Sequence, residues 1–222
     1  MSRAGGSGNR TDSREWHRVL GFWFPEGRAP EIDADAHRDH WRWRMRGGAD
    51  DAIVARFADL TMTAAAGGLD HWAVDPEGRL ALIILLDQFP RSLWRDEPRA
   101  FAQDEAALSL AVEGLANGHY SVLGPPWFRI VFGLPLGHCE GPDHLDRLDL
   151  LIGLRDAVAA EAPPGLRPLY RSLVQQAREV REVIAAFGRH PHRNRILGRA
   201  STPAEDAYLS AGRFPHLRAF EG

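Results

Sequence analysis

Residues 80–91 carry the sequence LALIILLDQFPR, in which seven consecutive apolar residues precede a carboxylate, an amide and a guanidinium. Pro76 and Glu77 just upstream are typical of a helix N-terminus. A helix that is apolar on every side has no face suited to water, so it predicts the buried centre of a helical bundle. We expect this helix to end at Phe89-Pro90. The apolar run is far shorter than the roughly 20 residues that a membrane-spanning helix needs.

The rest of the chain has helical periodicity on both sides of this segment, without the alternation or Asn-Gly turns typical of strands. The predicted helices begin near Ser13, Asp33, Asp50, Pro76, Pro98, Pro125, Pro142, Leu166 and Ser201. We therefore predict an all-α fold of eight or nine helices, arranged as antiparallel hairpins in a compact tetratricopeptide-like superhelix. Residues 1–12 are predicted to be a disordered tail, and residues 13–222 a single helical domain.

The composition excludes several classes of function. The 222 residues include no lysine, so all 27 basic residues are arginine, which excludes Schiff-base chemistry and a lysine-dependent phosphate loop. The formal charge of −3 favours neither nucleic acid nor an anionic membrane as a partner. One cysteine, Cys139, excludes a disulfide framework and fits a reducing compartment. We expect a cytoplasmic protein; the sequence leaves its oligomeric state open.

The first polar cluster directly follows the apolar run and contains Asp87, Gln88 and Arg91. Polar groups at the end of a buried helix need partners, because burying them unpaired costs several kcal/mol. One interpretation is a buried cap in which an arginine pairs with Asp87. The other is an acid/base carboxylate, with substrate-binding groups, at the floor of a pocket.

The second cluster contains His138 and Glu140. In an extended segment these two side chains point the same way and Cys139 points the other way, so a Cys–His nucleophile pair is disfavoured. The histidine and the carboxylate can meet on one ligand or one metal ion. Alternatively, Glu140 accepts from an arginine.

The third cluster lies in residues 187–199, where four arginines and two histidines fall within a stretch rich in Gly and Pro. The candidates in it are Arg189, His190, His192, Arg193 and Asn194. One interpretation is a solvated loop with ordinary ion pairs. The other is an anion-binding clamp, because arginine presents a planar fork that matches carboxylate or phosphate.

A zinc-type site would combine His138, Glu140 and one or both of His190 and His192. No local signature such as His-Glu-x-x-His supports this combination, so no metal is assigned to the predicted site, and the sequence leaves open whether these residues bind one. The sequence also lacks a glycine-rich phosphate loop, a dinucleotide fingerprint and a Gly-x-Ser-x-Gly elbow. The cofactor is therefore unknown.

These clusters, in this order, resemble the bacterial family catalogued as domain of unknown function 924. The matching motifs are Phe22-Trp23-Phe24, Leu86 to Arg91, Ala100-Phe101-x-x-Asp104, Pro135-x-x-His138-x-Glu140 and Phe187 through Glu205. The resemblance implies a tetratricopeptide-like helical fold and no settled activity. His190 stands where the family pattern has Phe, which weakens a metal site that needs both histidines, and Cys139 stands where Ser is usual.

Two hypotheses about function follow. In the first, the clusters converge in one pocket of a lyase or hydrolase that acts on a small anionic substrate. The catalytic candidates are Asp87, His138, Glu140 and His192, and the ligand-binding candidates are Gln88, Arg91, Arg189, Arg193 and Asn194. His138 or His192 would transfer the proton, and Glu140 or Asp87 would orient the imidazole. In the second, the protein is a non-catalytic helical scaffold that binds a peptide or protein partner.

Overall fold

The computed structural model describes residues 8–29, 32–212 and 214–215, and every regular element in these ranges is helical. The α-helices are α1 (Gly8–Trp23), α2 (Ala34–Met45), α3 (Asp50–Ala65), α4 (Pro76–Ile83), α5 (Phe89–Leu93), α6 (Asp104–Ala116), α7 (His119–Val122), α8 (Pro126–Phe132), α9 (Leu134–His138), α10 (His144–Glu161), α11 (Arg167–Phe187) and α12 (Pro203–Ala211). The all-α prediction is confirmed. No described helix has both the length and the apolar composition that crossing a membrane requires.

The helix count exceeds the predicted eight or nine, because some predicted helices are divided. The segment predicted to begin at Pro98 forms a 3₁₀ turn, Pro98–Phe101, before α6, and the one beginning at Pro125 is split at Gly133 into α8 and α9. Helix α1 begins at Gly8, earlier than predicted, and residues 1–7 of the predicted tail lie outside the described residues. The single domain and the tetratricopeptide-like superhelix stay predictions.

Helix α4 is the centre of the core, as predicted from its composition. Its residues 80–83 are at most 1% exposed, and the helix lies against α1, α6 and α8. The burial has a sequence origin, since seven apolar residues in a row leave no face for water. This helix is the rigid base on which the polar residues that follow it are placed.

The predicted end of this helix at Phe89-Pro90 is wrong. The chain continues through a π-helical turn, Ile84–Gln88, directly into α5. Pro90 has no N–H and its ring would clash with the carbonyl one normal turn earlier. In the wider π turn Phe89 N–H donates to the oxygen of Ile84, which lets the helix pass the proline.

Helices α10 and α11 form an antiparallel hairpin. Arg178 on α11 pairs with Asp156 on α10, and Arg181 pairs with Asp149, so residue numbers rise along one helix as they fall along the other. The α11 helix ends at Gly188, whose φ of +69° is the left-handed conformation that glycine adopts most easily. The chain then forms the loop 188–202 and enters α12 through a capping box between Thr202 and Glu205.

A buried polar network ties α2 to α11. His37 Nδ1–H donates to Glu26 Oε1 at 2.8 Å, and its Nε2 accepts from the Tyr170 hydroxyl at 3.0 Å and from Trp41 Nε1–H at 2.9 Å. Arg44 also pairs with Glu26, at 3.2 Å. Burial alone would raise the pKa of Glu26, but His37 and Arg44 lower it to about 2. Trp41 and Arg44 are thereby fixed in the wall of the cavity described next.

Candidate functional site

A cavity of about 620 Å³ lies where the ends of α5 and α9 meet the loop 188–202. Several predicted site residues from all three polar clusters line it: Gln88, Arg91, His138, His192 and Arg193. Segments far apart in the sequence are therefore brought to one cavity.

The centre of the site is a hydrogen bond between His138 and Asp87. His138 is the last residue of α9, and its Nδ1 lies 2.9 Å from both carboxylate oxygens of Asp87 in the π turn. Because an ionised carboxylate only accepts, Nδ1 carries the proton and the imidazole is held as the Nδ1–H tautomer. Within the described residues the other ring nitrogen, Nε2, has no protein partner, and the side chain is 30% exposed on the cavity.

Asp87 is fully buried yet ionised. Burial alone would raise its pKa, but the charge that His138 carries when protonated, the charge of Arg91 and the hydrogen bonds from His138 and Gln88 outweigh this and hold the pKa of the carboxyl well below its usual range. Gln88 Nε2 donates to Asp87 Oδ2 at 2.5 Å, and Arg91 donates to the Asp87 backbone oxygen. The carboxylate is therefore a fixed acceptor that sets the orientation of His138.

Two cavity arginines share one carboxylate beside this pair. Arg91 Nη2 donates to Asp104 Oδ1 and Arg193 Nη1 to Asp104 Oδ2, each at 2.9 Å. The Arg193 guanidinium also lies 4.4 Å from the centre of the Phe101 ring. Asp104 was not among the predicted site residues, although the Ala100-Phe101-x-x-Asp104 motif contains it. Arg91 Nη2 also lies 3.4 Å from Asp87 Oδ1, so the two guanidinium groups are held by two carboxylates. We call the two arginines the cationic wall, because both line the cavity.

Glu140 does not reach the cavity lining. Its Oε1 accepts from the His190 backbone N–H at 2.7 Å and its Oε2 from Arg199 Nη1 at 2.5 Å. The expected extended segment is wrong: His138 is still helical, so its side chain and that of Glu140 diverge toward different partners. Glu140 instead accepts a hydrogen bond from an arginine, which was the alternative interpretation of this cluster. Burial opposes ionisation, but Arg199 and the His190 N–H lower the pKa of Glu140.

Arg189 and Asn194 are also outside the cavity lining. Arg189 Nε and Nη2 donate to the two oxygens of Glu205 at 2.7 and 2.8 Å, and Asn194 Nδ2 donates to Ser201 Oγ at 3.1 Å. These contacts hold the loop 188–202 against α12. The two residues fix the segment that carries His192 and Arg193 into the cavity wall.

Two buried histidines lie beneath His138. His144 Nε2 and His190 Nε2 both donate to the carbonyl oxygen of Gly137 at 3.1 Å. Burial lowers the pKa of His144 to about 4 and that of His190 well below its ordinary value, so both are neutral at pH 7. The His192 ring centre lies 5.3 Å from that of His190.

The zinc-type combination is not assembled. In the parts of the chain that the structure describes, no three His, Cys, Asp or Glu side chains come together in a way that could hold a metal ion. Each of these side chains has a different hydrogen-bond partner. His138 bonds to Asp87, Glu140 to Arg199, and His190 to the Gly137 carbonyl oxygen.

The comparison with protein families agrees with the order of these motifs. A family model described as bacterial protein of unknown function (DUF924) matches residues 19–213. The chain belongs to this family. The DUF924 match contains all three polar clusters and Asp104. A search of the curated proteins finds no match for this DUF924 chain.

A solved structure of similar fold also comes from a protein without an assigned function. It is the protein of unknown function ATU0120 from Agrobacterium tumefaciens, with a TM-score of 0.66 and 30% sequence identity. The alignment covers 90% of this DUF924 chain and 99% of that chain. The comparisons therefore establish the family and the all-α fold, and the function has to be argued from the cavity.

Proposed function

We propose that this DUF924 protein is an enzyme that acts on a small anionic molecule, with His138 as the proton-transferring group and Asp87 as its positioning residue. The observation that carries the proposal is the hydrogen bond from His138 Nδ1 to a buried carboxylate, with Nε2 left without a protein partner beside a cavity. His37 has both ring nitrogens hydrogen-bonded within the protein, whereas His144, among the described residues, leaves Nδ1 unpaired but is buried; His138 differs from both because its unpaired nitrogen belongs to a side chain that is 30% exposed on the cavity.

The proposed chemistry starts at Nε2 of His138. The neutral imidazole has its lone pair on Nε2, so this atom accepts a proton from the substrate or from a water molecule. Asp87 fixes the tautomer and the ring orientation throughout. Removal of a proton from carbon, with departure of a leaving group from the adjacent carbon, would give a lyase. Removal of a proton from water, with attack of its oxygen on an acyl or phosphoryl centre and departure of the leaving group, would give a hydrolase.

The cationic wall supplies the second requirement. Arg91 has a side chain that is 23% exposed and lines the cavity, whereas Arg193 is buried at 6%. Guanidinium groups held by Asp104 do not need to reorganise when negative charge develops nearby. We assign Arg91 to contact the anionic group of the substrate, and Arg193 to support it through Asp104.

The competing proposal is a non-catalytic tetratricopeptide-like scaffold with a peptide or protein partner. The size of the cavity favours the enzyme, since about 620 Å³ is within the range of small-molecule sites. The polar groups also converge inside that cavity. In a scaffold that presents a groove to a peptide, we expect them to be spread along an outer surface.

A ligand screen followed by a turnover assay tests the proposal. We expect small carboxylates or phosphates to raise the melting temperature of the wild-type protein, and Arg91→Gln to remove that shift. With a turned-over compound, we expect His138→Gln to lose activity by at least about a hundredfold while binding persists. The matched control is His17→Gln, whose side chain is 61% exposed on α1. Unchanged turnover in His138→Gln would overturn the assignment of His138, and binding of a peptide without any small-molecule binding would favour the scaffold.

A further inference from the structure

The cavity extends away from His138 along the α10–α11 hairpin. Residues at successive turns of both helices line it, from Leu148 to Arg155 on α10 and from Leu173 to Val183 on α11. At 1.5 Å per residue, ten residues of α11 correspond to about 15 Å. The cavity therefore has an extension along the hairpin, in addition to the part that Trp41, Arg44 and Arg95 line.

Aliphatic side chains line this extension. They are Leu148, Leu151, Leu173, Ala177 and Val180. All of them except Val180 are at most 3% exposed, because they also pack in the hydrophobic core, so the extension has apolar walls but little apolar area left to bury.

Two polar residues also line this extension, Gln176 and Arg155, and Arg155 is 5% exposed. Its Nη1 donates to the Leu173 carbonyl at 2.7 Å and lies 3.3 Å from Gln176 Oε1. Its Nη2 makes no hydrogen bond with any described residue. The other cavity arginines discussed above, Arg91 and Arg193, each have a carboxylate partner.

Arg155 is a buried cation without a counter-ion among the described residues. Burial lowers its pKa to about 10, so it is still charged at pH 7. The ionisable side chain whose charge would act on it is that of Tyr120, and burial raises the pKa of Tyr120 to about 12, which keeps the phenol neutral. A buried charge that lacks a partner is costly, so an anionic ligand group at Arg155 would be strongly favoured.

We infer that Arg155 binds the carboxylate of an elongated ligand whose chain runs through the cavity from Arg155 toward His138. A carboxylate matches the single charge of Arg155, whereas a phosphate monoester would leave negative charge uncompensated in apolar surroundings. His144 donates to the carbonyl oxygen of Gly137, the residue before His138, so the start of α10 lies next to His138. Arg155 lies eleven residues further along α10 than His144, a rise of about 16 Å along the helix. The ligand would thus have its carboxylate far from His138 and a second polar group near Arg91. As a substrate class this inference rests on the proposed function, but its binding test needs no turnover.

Octanoate, octan-1-ol and octyl phosphate are the probes for this site, with affinity measured by isothermal titration calorimetry. We expect wild-type protein to bind octanoate at least about tenfold more tightly than either of the other two. Arg155→Gln should lose at least about tenfold in octanoate affinity and little in octanol affinity. Arg178→Gln, on the exposed face of α11, is the matched control and should bind octanoate like the wild type.

If Arg155→Gln proves unstable, Arg155→Lys is the second variant, because it keeps the positive charge. It should bind octanoate more tightly than octan-1-ol. His138→Gln should leave octanoate binding unchanged, so a failed catalytic proposal and a failed Arg155 site give different results. Equal affinity of the wild type for octanoate and octan-1-ol, tighter binding of octyl phosphate, no binding of octanoate, or full octanoate affinity in Arg155→Gln would each overturn the inference.

Discussion

Asp87 and His138 are 51 residues apart in the chain, yet both oxygens of the Asp87 carboxylate lie 2.9 Å from Nδ1 of His138. Asp87 comes from the π turn that follows the most buried helix, and His138 is the last residue of α9. Both side chains are thus held by helices rather than by a mobile loop. The orientation of the imidazole is therefore a property of the packed core.

The first prediction is that Asp87→Asn reverses the tautomer of His138. An asparagine amide can turn its NH₂ toward the imidazole, so Nδ1 would become the acceptor and the proton would move to Nε2. Nitrogen-15 NMR of the histidine side chains distinguishes the two tautomers without any substrate. We expect the Nδ1–H form in the wild type and the Nε2–H form in the variant.

The control for this experiment is Asp35→Asn, in which the side chain of an exposed aspartate on α2 is changed in the same way. It should leave the His138 resonances unchanged. The assigned role of Asp87 would be disproved by a wild-type His138 in the Nε2–H form, or by the same tautomer in wild type and Asp87→Asn.

The second prediction concerns the carboxylate shared by Arg91 and Arg193. Asp104→Ala leaves two guanidinium groups without their common partner, and one of them, Arg193, is buried. We expect the free energy of unfolding in urea to fall by about 3–5 kcal/mol, the usual cost of breaking a buried ion pair from one side.

Asp156→Ala provides the comparison, because it removes an exposed pair with Arg178 on the helical hairpin. It should not change the urea midpoint measurably. A similar small effect for Asp104→Ala would mean that the two arginines do not depend on Asp104, and the cationic wall would lose its support.

The sequence predicted the all-α class and the buried helix 80–86 because these follow from local composition and period. An unbroken apolar run requires burial wherever the helix lies. It also predicted that Asp87, His138 and Arg193 belong to one site, from polar residues placed next to buried segments and from the resemblance to DUF924. The three residues lie close together in the structure, and their role in one functional site stays a prediction.

The predictions that failed depend on contacts between distant segments. Glu140 was grouped with His138 by its spacing of two, but its partner is Arg199, 59 residues away. Arg155 appears in the sequence as one more polar residue on a long helix. Its lack of a carboxylate becomes visible only when the neighbours on α11 are known.

The third prediction is a loss of stability in mild acid that depends on His144. Its pKa is about 4 in the folded protein and 6.5 ordinarily. Between these values the unfolded chain binds a proton that the folded protein does not, so the free energy of unfolding falls as the pH falls through this window. Each pKa unit corresponds to 1.36 kcal/mol, so His144 contributes a loss of up to about 3 kcal/mol.

Urea unfolding at pH 7 and pH 4.5 measures this effect, and His144→Gln is the informative variant. Glutamine can still donate to the Gly137 oxygen but does not titrate. We expect a smaller loss of stability on acidification in this variant than in the wild type. His190 acts in the same direction, so part of the loss should remain. An equal loss in both proteins would mean that His144 is not the group responsible.

The fourth prediction separates a structural role for Glu140 from a catalytic one. In Glu140→Gln the amide oxygen can still accept from the His190 N–H, but the charged pair with Arg199 is lost. We expect the free energy of unfolding to fall by about 1–3 kcal/mol. Amide hydrogen exchange should become faster in residues 189–199, because Arg199 also donates to the His190 carbonyl and ties this loop together.

The His138 tautomer and the binding of any cavity ligand should stay unchanged in Glu140→Gln, because Glu140 touches neither His138 nor the cavity. Glu113→Gln is the matched control, since that carboxylate pairs with Arg79 on the exposed side of α6. A different result, in which ligand binding or turnover is lost while stability and exchange stay normal, would show that Glu140 takes part in the chemistry. Asp87 would then share its role with a second carboxylate.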